Sequence, residues 1–353
     1  MKWRMLLTPC ALQSVSCRAT FRLLLPIVGA LLLSSMALAA GDNALDAFAG
    51  KTLTYIVPSK PGGGYDRYAR LLAKYLPKHL PVAKVIVRNS PGAGGLLAAH
   101  QLYYAQADGL SIGTINSGVV WAQVLDSPNL RFDANQFSWI GKSASDYRVL
   151  VMGENSGYQN LQDIRSSEQP VIFGTGGAGG ASYNESRLLL GMLQINAKLI
   201  PGFGGDNSVL ALRRGDIDGR LFSYSTVRDF VRSGAGKIVL QVGGSGVLGT
   251  NIPRLRDFPL VGQSDIALDI LDAITDLGRL SAAPPGVPQE RLQLLRKAYF
   301  DTLSDPQFLA EAAKLHLSVV PGRGDLVEER LAGILSKAQQ HQQVLQGLLQ
   351  WYR

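Results

Sequence analysis

Cysteine is almost absent from this sequence of 353 residues. The two cysteines, Cys10 and Cys17, lie in the first forty residues, and the rest of the chain has none. Disulfide frameworks, thiol nucleophiles and cysteine-ligated metal sites are therefore excluded for the part that follows. That part must be stabilised by its core, and its length, about 310 residues, is ample for one or two domains.

Histidine is also scarce, and its four copies show no spacing typical of a metal site. These are His79, His100, His316 and His341. The sequence has no G-x-S-x-G motif for a serine nucleophile. The acids Asp216 and Asp218 lie beside a predicted strand, where turn and hydrogen-bonding roles are commoner than acid/base catalysis. We therefore expect no metal, no cofactor and no enzymatic activity.

Acidic residues are missing from the first forty positions, which carry four basic residues: Lys2, Arg4, Arg18 and Arg22. An apolar stretch at 23–33 precedes Ala37-Leu38-Ala39, whose small residues are typical of a signal peptidase site. The stretch is shorter than the roughly 20 residues needed to span a membrane. We expect residues 1–40 to be a signal peptide, cleaved near Ala39 or Ala40, and the protein to be periplasmic.

Positive charge is not strongly in excess once this segment is removed. The whole chain has 35 basic and 27 acidic residues, so loss of four basic residues lowers the net charge from +8 to +4. This excess is too small to favour nucleic-acid binding. It is compatible with an anionic solute.

Apolar runs of strand length alternate with amphipathic stretches along the chain. Strands are predicted at 53–57, 85–87, 111–115, 149–152, 171–173, 197–200, 217–222 and 238–242. Helices are predicted at 68–76, 96–104, 183–193, 208–214, 289–302, 306–315 and 326–346. The segment 281–286, Ser-Ala-Ala-Pro-Pro-Gly, is predicted to separate the C-terminal helices from the rest. This alternation indicates an α/β protein with parallel sheets and crossover helices.

Three glycine-rich turns each follow a predicted strand and precede a helix. They are Pro61 to Asp66, Pro91 to Gly95 and Gly174 to Ser182. Glycine lets a ligand approach the backbone closely, and a helix N-terminus attracts anions, so each turn is either an anion site or simply a tight turn. The third turn matches G-x-G-x-x-G, but the acid expected about 20 residues later in a dinucleotide site is missing. Turns after adjacent strands of one sheet would open onto the same edge.

Two of these turns, with their flanking residues, carry a family resemblance. Val57 to Asp66, Ala69 to Leu72 and Asn89 to Gly95 closely resemble the substrate-binding proteins of tripartite tricarboxylate transporters, also called the Bordetella uptake gene family. The resemblance implies a type II periplasmic binding protein, in which two Rossmann-like lobes are joined by two crossing strands around a ligand cleft. Lobe 1 would comprise residues 45–147 and 273–353, and lobe 2 residues 148–272.

The resemblance also implies where a solute binds. The two N-terminal turns would hold one carboxylate through backbone amides and bridging water, and the second lobe would read the other end. The predicted ligand-binding residues in the first lobe are Ser59, Lys60, Gly63, Gly64, Asp66, Ala93, Gly94, Gly95, Asn116 and Ser117. Those in the second lobe are Thr175, Gly179, Ser182, Arg220 and Ser223.

This chain departs from the family pattern mainly in the second lobe. Tyr183-Asn184 stands where many relatives carry a histidine, and Arg220 stands where small or apolar residues are usual. Lys60 either pairs with a carboxylate or is solvated. Arg220, in an apolar strand, needs a partner: Asp216 or Asp218, which we favour, or the solute itself. The identity of the solute therefore cannot be taken from a relative.

We expect a monomer that binds a small organic carboxylate, such as a di- or tricarboxylate, and delivers it to the permease subunits of a tripartite tricarboxylate transporter. Two alternatives remain open at this point. One is a receptor subunit that presents its liganded form to a sensor kinase. The other is an exported hydrolase.

Overall fold

The computed structural model describes residues 44–350, apart from positions 129, 146, 205, 245–248 and 250. The predicted signal peptide, residues 1–40, lies outside this part. The strands are β1 Thr52–Val57, β2 Lys84–Asn89, β3 Ser111–Ile115, β4 Ser138–Ala144, β5 Arg148–Gly153, β6 Val171–Gly174, β7 Ala197–Ile200, β8 Gly219–Ser223, β9 Gly236–Gly243, β10 Arg279–Ala283 and β11 Gly322–Arg323.

Helices cover most of the connections between these strands. They are α1 Gly64–Tyr75, α2 Leu96–Tyr103, α3 Ser117–Val124, α4 Leu161–Arg165, α5 Ala181–Leu193, α6 Asp206–Arg214, α7 Tyr224–Arg232, α8 Ser264–Leu277, α9 Gln289–Ser304, α10 Pro306–Lys314, α11 Gly324–Gln340 and α12 Gln342–Gln350. Among the described residues, none of these helices combines the length and the apolar character that a membrane span requires.

The first sheet has the order β11-β4-β10-β3-β1-β2. Strands β1, β2 and β3 are parallel neighbours, as the sequence predicted, so their C-terminal ends lie at one edge of the sheet. Strand β10 runs antiparallel to both β3 and β4. Helix α1 covers this sheet because Tyr68, Leu71, Leu72 and Tyr75 recur on one helical face and are buried in its core.

The second sheet has the order β7-β6-β8-β5-β9. Strand β6 is parallel to both β7 and β8, whereas β5 is antiparallel to β8 and β9. The chain passes directly from β4 of the first sheet to β5 of the second, and it returns from β9 to β10 by way of α8. The lobe limits at 147/148 and 272/273 stay a prediction, and α8 runs continuously across the second of them.

The largest hydrophobic cluster takes residues from both sheets. Trp121 and Trp139 belong to it together with Leu150 and Leu221. The last helix, α12, contributes Leu345 and Leu349 to the cluster, and Arg187 Nη2 on α5 donates to the carbonyl of Leu349 at 2.9 Å. The second half of the chain is thus joined to the first by packing as well as by connections.

One sequence prediction about organisation is wrong. Residues 281–283 were expected to form part of a separator, yet they lie in β10, a fully buried strand inside the first sheet. All five residues of β10 are buried, so the strand lacks the apolar–polar alternation by which a half-exposed strand is predicted. The predicted helix at 326–346 is also two helices, which meet at His341.

Candidate functional site

The first glycine turn joins β1 to α1 and is held from within by Asp66. Gly63 precedes α1 and has no side chain to cap its first amide groups. The buried Asp66 carboxylate accepts from Gly62 N–H through Oδ2 and from Asn89 Nδ2 through Oδ1, each at 2.8 Å. Arg70 Nε also donates to Oδ2, at 2.8 Å. Because its oxygens are engaged in the turn, we infer a positioning role for Asp66.

We expect Asp66→Asn to destabilise the protein by about 1.5–3 kcal/mol at neutral pH, because charge-assisted hydrogen bonds are lost. Burial alone would raise the pKa of Asp66, but the hydrogen bonds from Arg70, Gly62 and Asn89 outweigh it and hold the pKa below 3.8. A depressed folded-state pKa gives stability that is present above the unfolded-state value and is lost as pH falls through the folded-state value. Urea unfolding between pH 3 and pH 8 should therefore show that the difference in free energy of unfolding between the parent and Asp66→Asn becomes smaller below about pH 4.

The matched control for this variant is Asp46→Asn, which removes a carboxylate at an exposed position. It should leave the free energy of unfolding within about 0.5 kcal/mol of the parent. A difference between Asp66→Asn and the parent that stays the same from pH 8 to pH 3 would contradict the role given to the carboxylate.

The second glycine turn has an unusual backbone. Ala93, Gly94 and Gly95 have φ values of 45°, 66° and 107°. Asn116 fixes this turn, since its Nδ2 donates to the Gly94 carbonyl at 2.9 Å while its Oδ1 accepts from Val119 N–H at the start of α3. The predicted residue Ser117 is the first of α3. Three helices, α1, α2 and α3, thus begin at the edge where the parallel strands of the first sheet end.

The third turn follows β6 and leads into α5. Ser182 Oγ accepts from Gly176 N–H at 2.9 Å, and Asn184 Nδ2 donates to the Gly179 carbonyl at 3.0 Å, so both side chains shape the turn. The predicted residue Thr175 is completely buried at its base. The exposed part of the turn is Gly177 to Gly179, while Gly180, which directly precedes α5, is buried.

The first-sheet turns face elements of the second sheet. A Cβ atom placed on Gly94 would lie 2.6 Å from Gly180 Cα, so the second and third turns touch through their backbones. A Cβ atom on Gly64 would lie 3.3 Å from Arg279 Nη2 and 3.5 Å from Thr226 Cγ2 at the start of α7. The first and second turns thus lie at one edge of the first sheet and approach elements of the second, and we call the region bounded by the three glycine turns and the start of α7 the cleft.

Three other predicted binding residues differ in exposure and in hydrogen bonding. Lys60 is exposed and forms no ion pair within the described chain. Ser59 Oγ is buried, and no described group hydrogen-bonds to it. Ser223, at the end of β8, accepts from Arg148 Nη1 at 3.0 Å. The binding roles of these residues stay predictions.

Sequence reasoning missed Arg148, Glu185 and Arg279. Arg148 begins β5 and forms an ion pair with the buried Glu185 of α5, with Nε donating to Oε2 at 2.7 Å. Arg279 begins β10, and its guanidinium carbon lies 4.8 Å and 4.7 Å from the ring centroids of Tyr65 and Tyr68. Both arginines could have been identified from the sequence, because each is a cation at the first position of a predominantly apolar run.

Arg220 does not have the structural partner that we favoured from the sequence. It forms an ion pair with neither Asp216 nor Asp218 in the described structure, and Asp218 Oδ2 instead accepts from Ile172 N–H at 2.7 Å. Its guanidinium carbon lies 4.9 Å from the Phe222 ring centroid. Burial, and then repulsion from Arg148, lowers the pKa of Arg220 to about 10, so it remains a cation at neutral pH.

This arrangement is suited to holding an anion by polar contacts. Helix N-termini supply amide groups and a partial positive charge, and arginines supply full charges. Among residues 44–350, excluding those not described, no group of three histidine or acidic side chains is placed to hold a metal ion. A separate hollow lined by Gln241, Arg254, Asp272 and Lys337 contains none of the glycine turns.

Comparison with known proteins finds a family and a fold. The model of the family described as "Tripartite tricarboxylate transporter family receptor" matches residues 68–325. A protein of Agrobacterium vitis, described as a UPF0065 protein in the TAR-I ttuE-ttuC' intergenic region, is 27% identical over 329 residues. The match covers 88% of this chain and 90% of the relative.

Solved structures give the same architecture. The periplasmic binding protein BugD superposes with a TM-score of 0.69 at 20% identity, covering 84% of this chain and 98% of that one. MatC from Rhodopseudomonas palustris, solved with bound malate, gives a TM-score of 0.64 at 20% identity, covering 86% and 100%. These similarities confirm the predicted type II fold with two α/β lobes.

Proposed function

Because the chain belongs to the tripartite tricarboxylate transporter receptor family, we propose that it is a periplasmic binding protein which captures a small organic carboxylate. It delivers this solute to the permease subunits of a tripartite tricarboxylate transporter. The family consists of solute-binding receptors, and we propose that this member binds without catalysing a reaction. We further propose that it acts as a monomer and is exported by cleavage near Ala39 or Ala40.

The observation that carries this proposal is the meeting of three glycine turns at one cleft, each in front of a helix. Fixed amide groups at a helix N-terminus stabilise a negative charge without reorganising. Movement of the two lobes about their connections would admit the solute, and closure would exclude water and strengthen these contacts. The malate bound to MatC shows that a protein of this fold holds a dicarboxylate.

Calorimetry of the purified protein tests the proposal. The panel should contain succinate, malate, citrate, benzoate and glutamate, with glucose and glycerol as neutral controls. We expect at least one anion to bind and both neutral solutes to fail. At a hundredfold excess over its Kd, that anion should stabilise the folded state by about 2.7 kcal/mol. Binding of neutral solutes, with none of the anions bound, would contradict the carboxylate assignment.

A further inference from the structure

Arg220 is a partly buried cation, and no described residue forms an ion pair with it. Its Nε and Nη1 atoms are buried and have no hydrogen-bond acceptor among the described residues. The neighbouring acids are used elsewhere or point away: Asp218 binds the backbone of β6, and Asp216 is exposed in the preceding turn. An uncompensated buried charge is costly, so its retention in an apolar strand calls for an explanation.

The arginine side chain extends toward the cleft. Arg220 pairs with Gly174, the last residue of β6, so it lies level with the start of the third glycine turn. Phe222 lies on the same face of β8, two residues nearer the C-terminal end of the strand. Because the Arg220 guanidinium lies over the Phe222 ring, it reaches toward the end of the strand that borders the cleft.

The charged groups at this end of β8 do not neutralise Arg220. Arg148 begins β5 opposite Ser223, at the same end of β8, and it repels Arg220. Glu185 is bound to Arg148, and it also accepts from Trp121 Nε1 at 3.3 Å. Glu185 is therefore engaged by Arg148, and among the described residues no acid forms an ion pair with Arg220.

We propose that Arg220 is a specificity-determining residue that binds a second carboxylate at the end of the solute opposite the one held by the N-terminal turns. This inference rests on the proposed function and narrows it, since the preferred solute is then a dicarboxylate. A guanidinium group suits this role because its parallel N–H groups match the two oxygens of a carboxylate. The cation is balanced only when the solute is bound.

Matched pairs of acids test this proposal. Calorimetry should compare succinate with butyrate and adipate with hexanoate, since each pair differs only in the second carboxylate. Of the two dicarboxylates, we expect the one that the parent protein prefers to bind at least about 30-fold more tightly than the matched monocarboxylate. Arg220→Met should reduce that preference by about 10- to 100-fold while leaving affinity for the monocarboxylate within about threefold. Arg220→Lys should keep part of the preference.

The control is Arg214→Met, which removes the same charge at an exposed position and should not change the preference for the dicarboxylate.

Equal affinity of the parent for both members of each pair would overturn the role of Arg220 yet leave carboxylate binding intact. A parallel loss of both affinities in Arg220→Met, with a lower Tm, would assign the arginine to folding instead. If no acid bound the parent protein, the proposed function itself would fail. If Arg220→Met did not fold, two results would still test the proposal. They are the preference of the parent protein for the dicarboxylate and the preference that Arg220→Lys retains.

Discussion

Glu185→Leu is expected to lower the free energy of unfolding by about 3–5 kcal/mol. Glu185 is completely buried and bound to Arg148, so its loss leaves a guanidinium group without its counter-charge. The positive charge of Arg148 would then be unbalanced, and Arg148 already repels Arg220. The buried indole N–H of Trp121 would also lose its acceptor. Urea unfolding followed by circular dichroism measures the change.

The double variant Arg148→Met, Glu185→Leu separates charge imbalance from packing. Replacing both members of a buried ion pair by apolar residues is often neutral or stabilising. We therefore expect the double variant to be more stable than Glu185→Leu by at least about 2 kcal/mol. If it were equally unstable, the damage would come from lost packing or from Trp121, and the ion pair would not be the cause.

Much of the fold follows from local sequence patterns. Strands β3 and β7 were predicted with the bounds that they have, since turn residues lie near both: Asp108-Gly109 precedes β3, and Pro201-Gly202 follows β7. Strand β10 was missed because it is short and its last three residues, Ser281 to Ala283, are small and lie beside a Pro-Pro-Gly turn. Its place between β3 and β4 depends on antiparallel pairing with residues more than 130 positions away, which no local pattern reveals.

The candidate site also combines features that local sequence patterns predict with features that they do not. The glycine turns could be predicted because each is a local motif between a strand and a helix. The pairing of Arg148 with Glu185 could not, because it depends on β5 and α5 being placed side by side. Arg220 was identified, but its supposed partner was wrong, since Asp218 is close in sequence yet engaged with β6. Sequence proximity is a weak guide to ion pairs, since the Asp218 carboxylate accepts from the backbone of the neighbouring strand instead of binding Arg220.

Gly94→Val is expected to weaken binding of the best carboxylate in the calorimetric panel by about 100-fold or more. Two effects act at this position. A β-branched residue is strained at a φ of 66°. In addition, its Cβ would lie 2.6 Å from Gly180 Cα and 2.8 Å from Gly180 N, so the second and third turns would have to separate. The solute would then be held from one side only, and a hundredfold loss corresponds to about 2.7 kcal/mol.

Gly50→Val isolates the contact from the strain. Gly50 has a φ of 68°, nearly the same as that of Gly94, but its Cβ would meet no atom within 4 Å. Both variants should therefore lose similar stability, about 1–2 kcal/mol for a side chain in the left-handed region, whereas only Gly94→Val should lose affinity. Equal affinity in the two variants would show that closure does not depend on this contact. A folded Gly94→Val protein with weakened binding would instead show that binding depends on the close approach of Gly94 to Gly180.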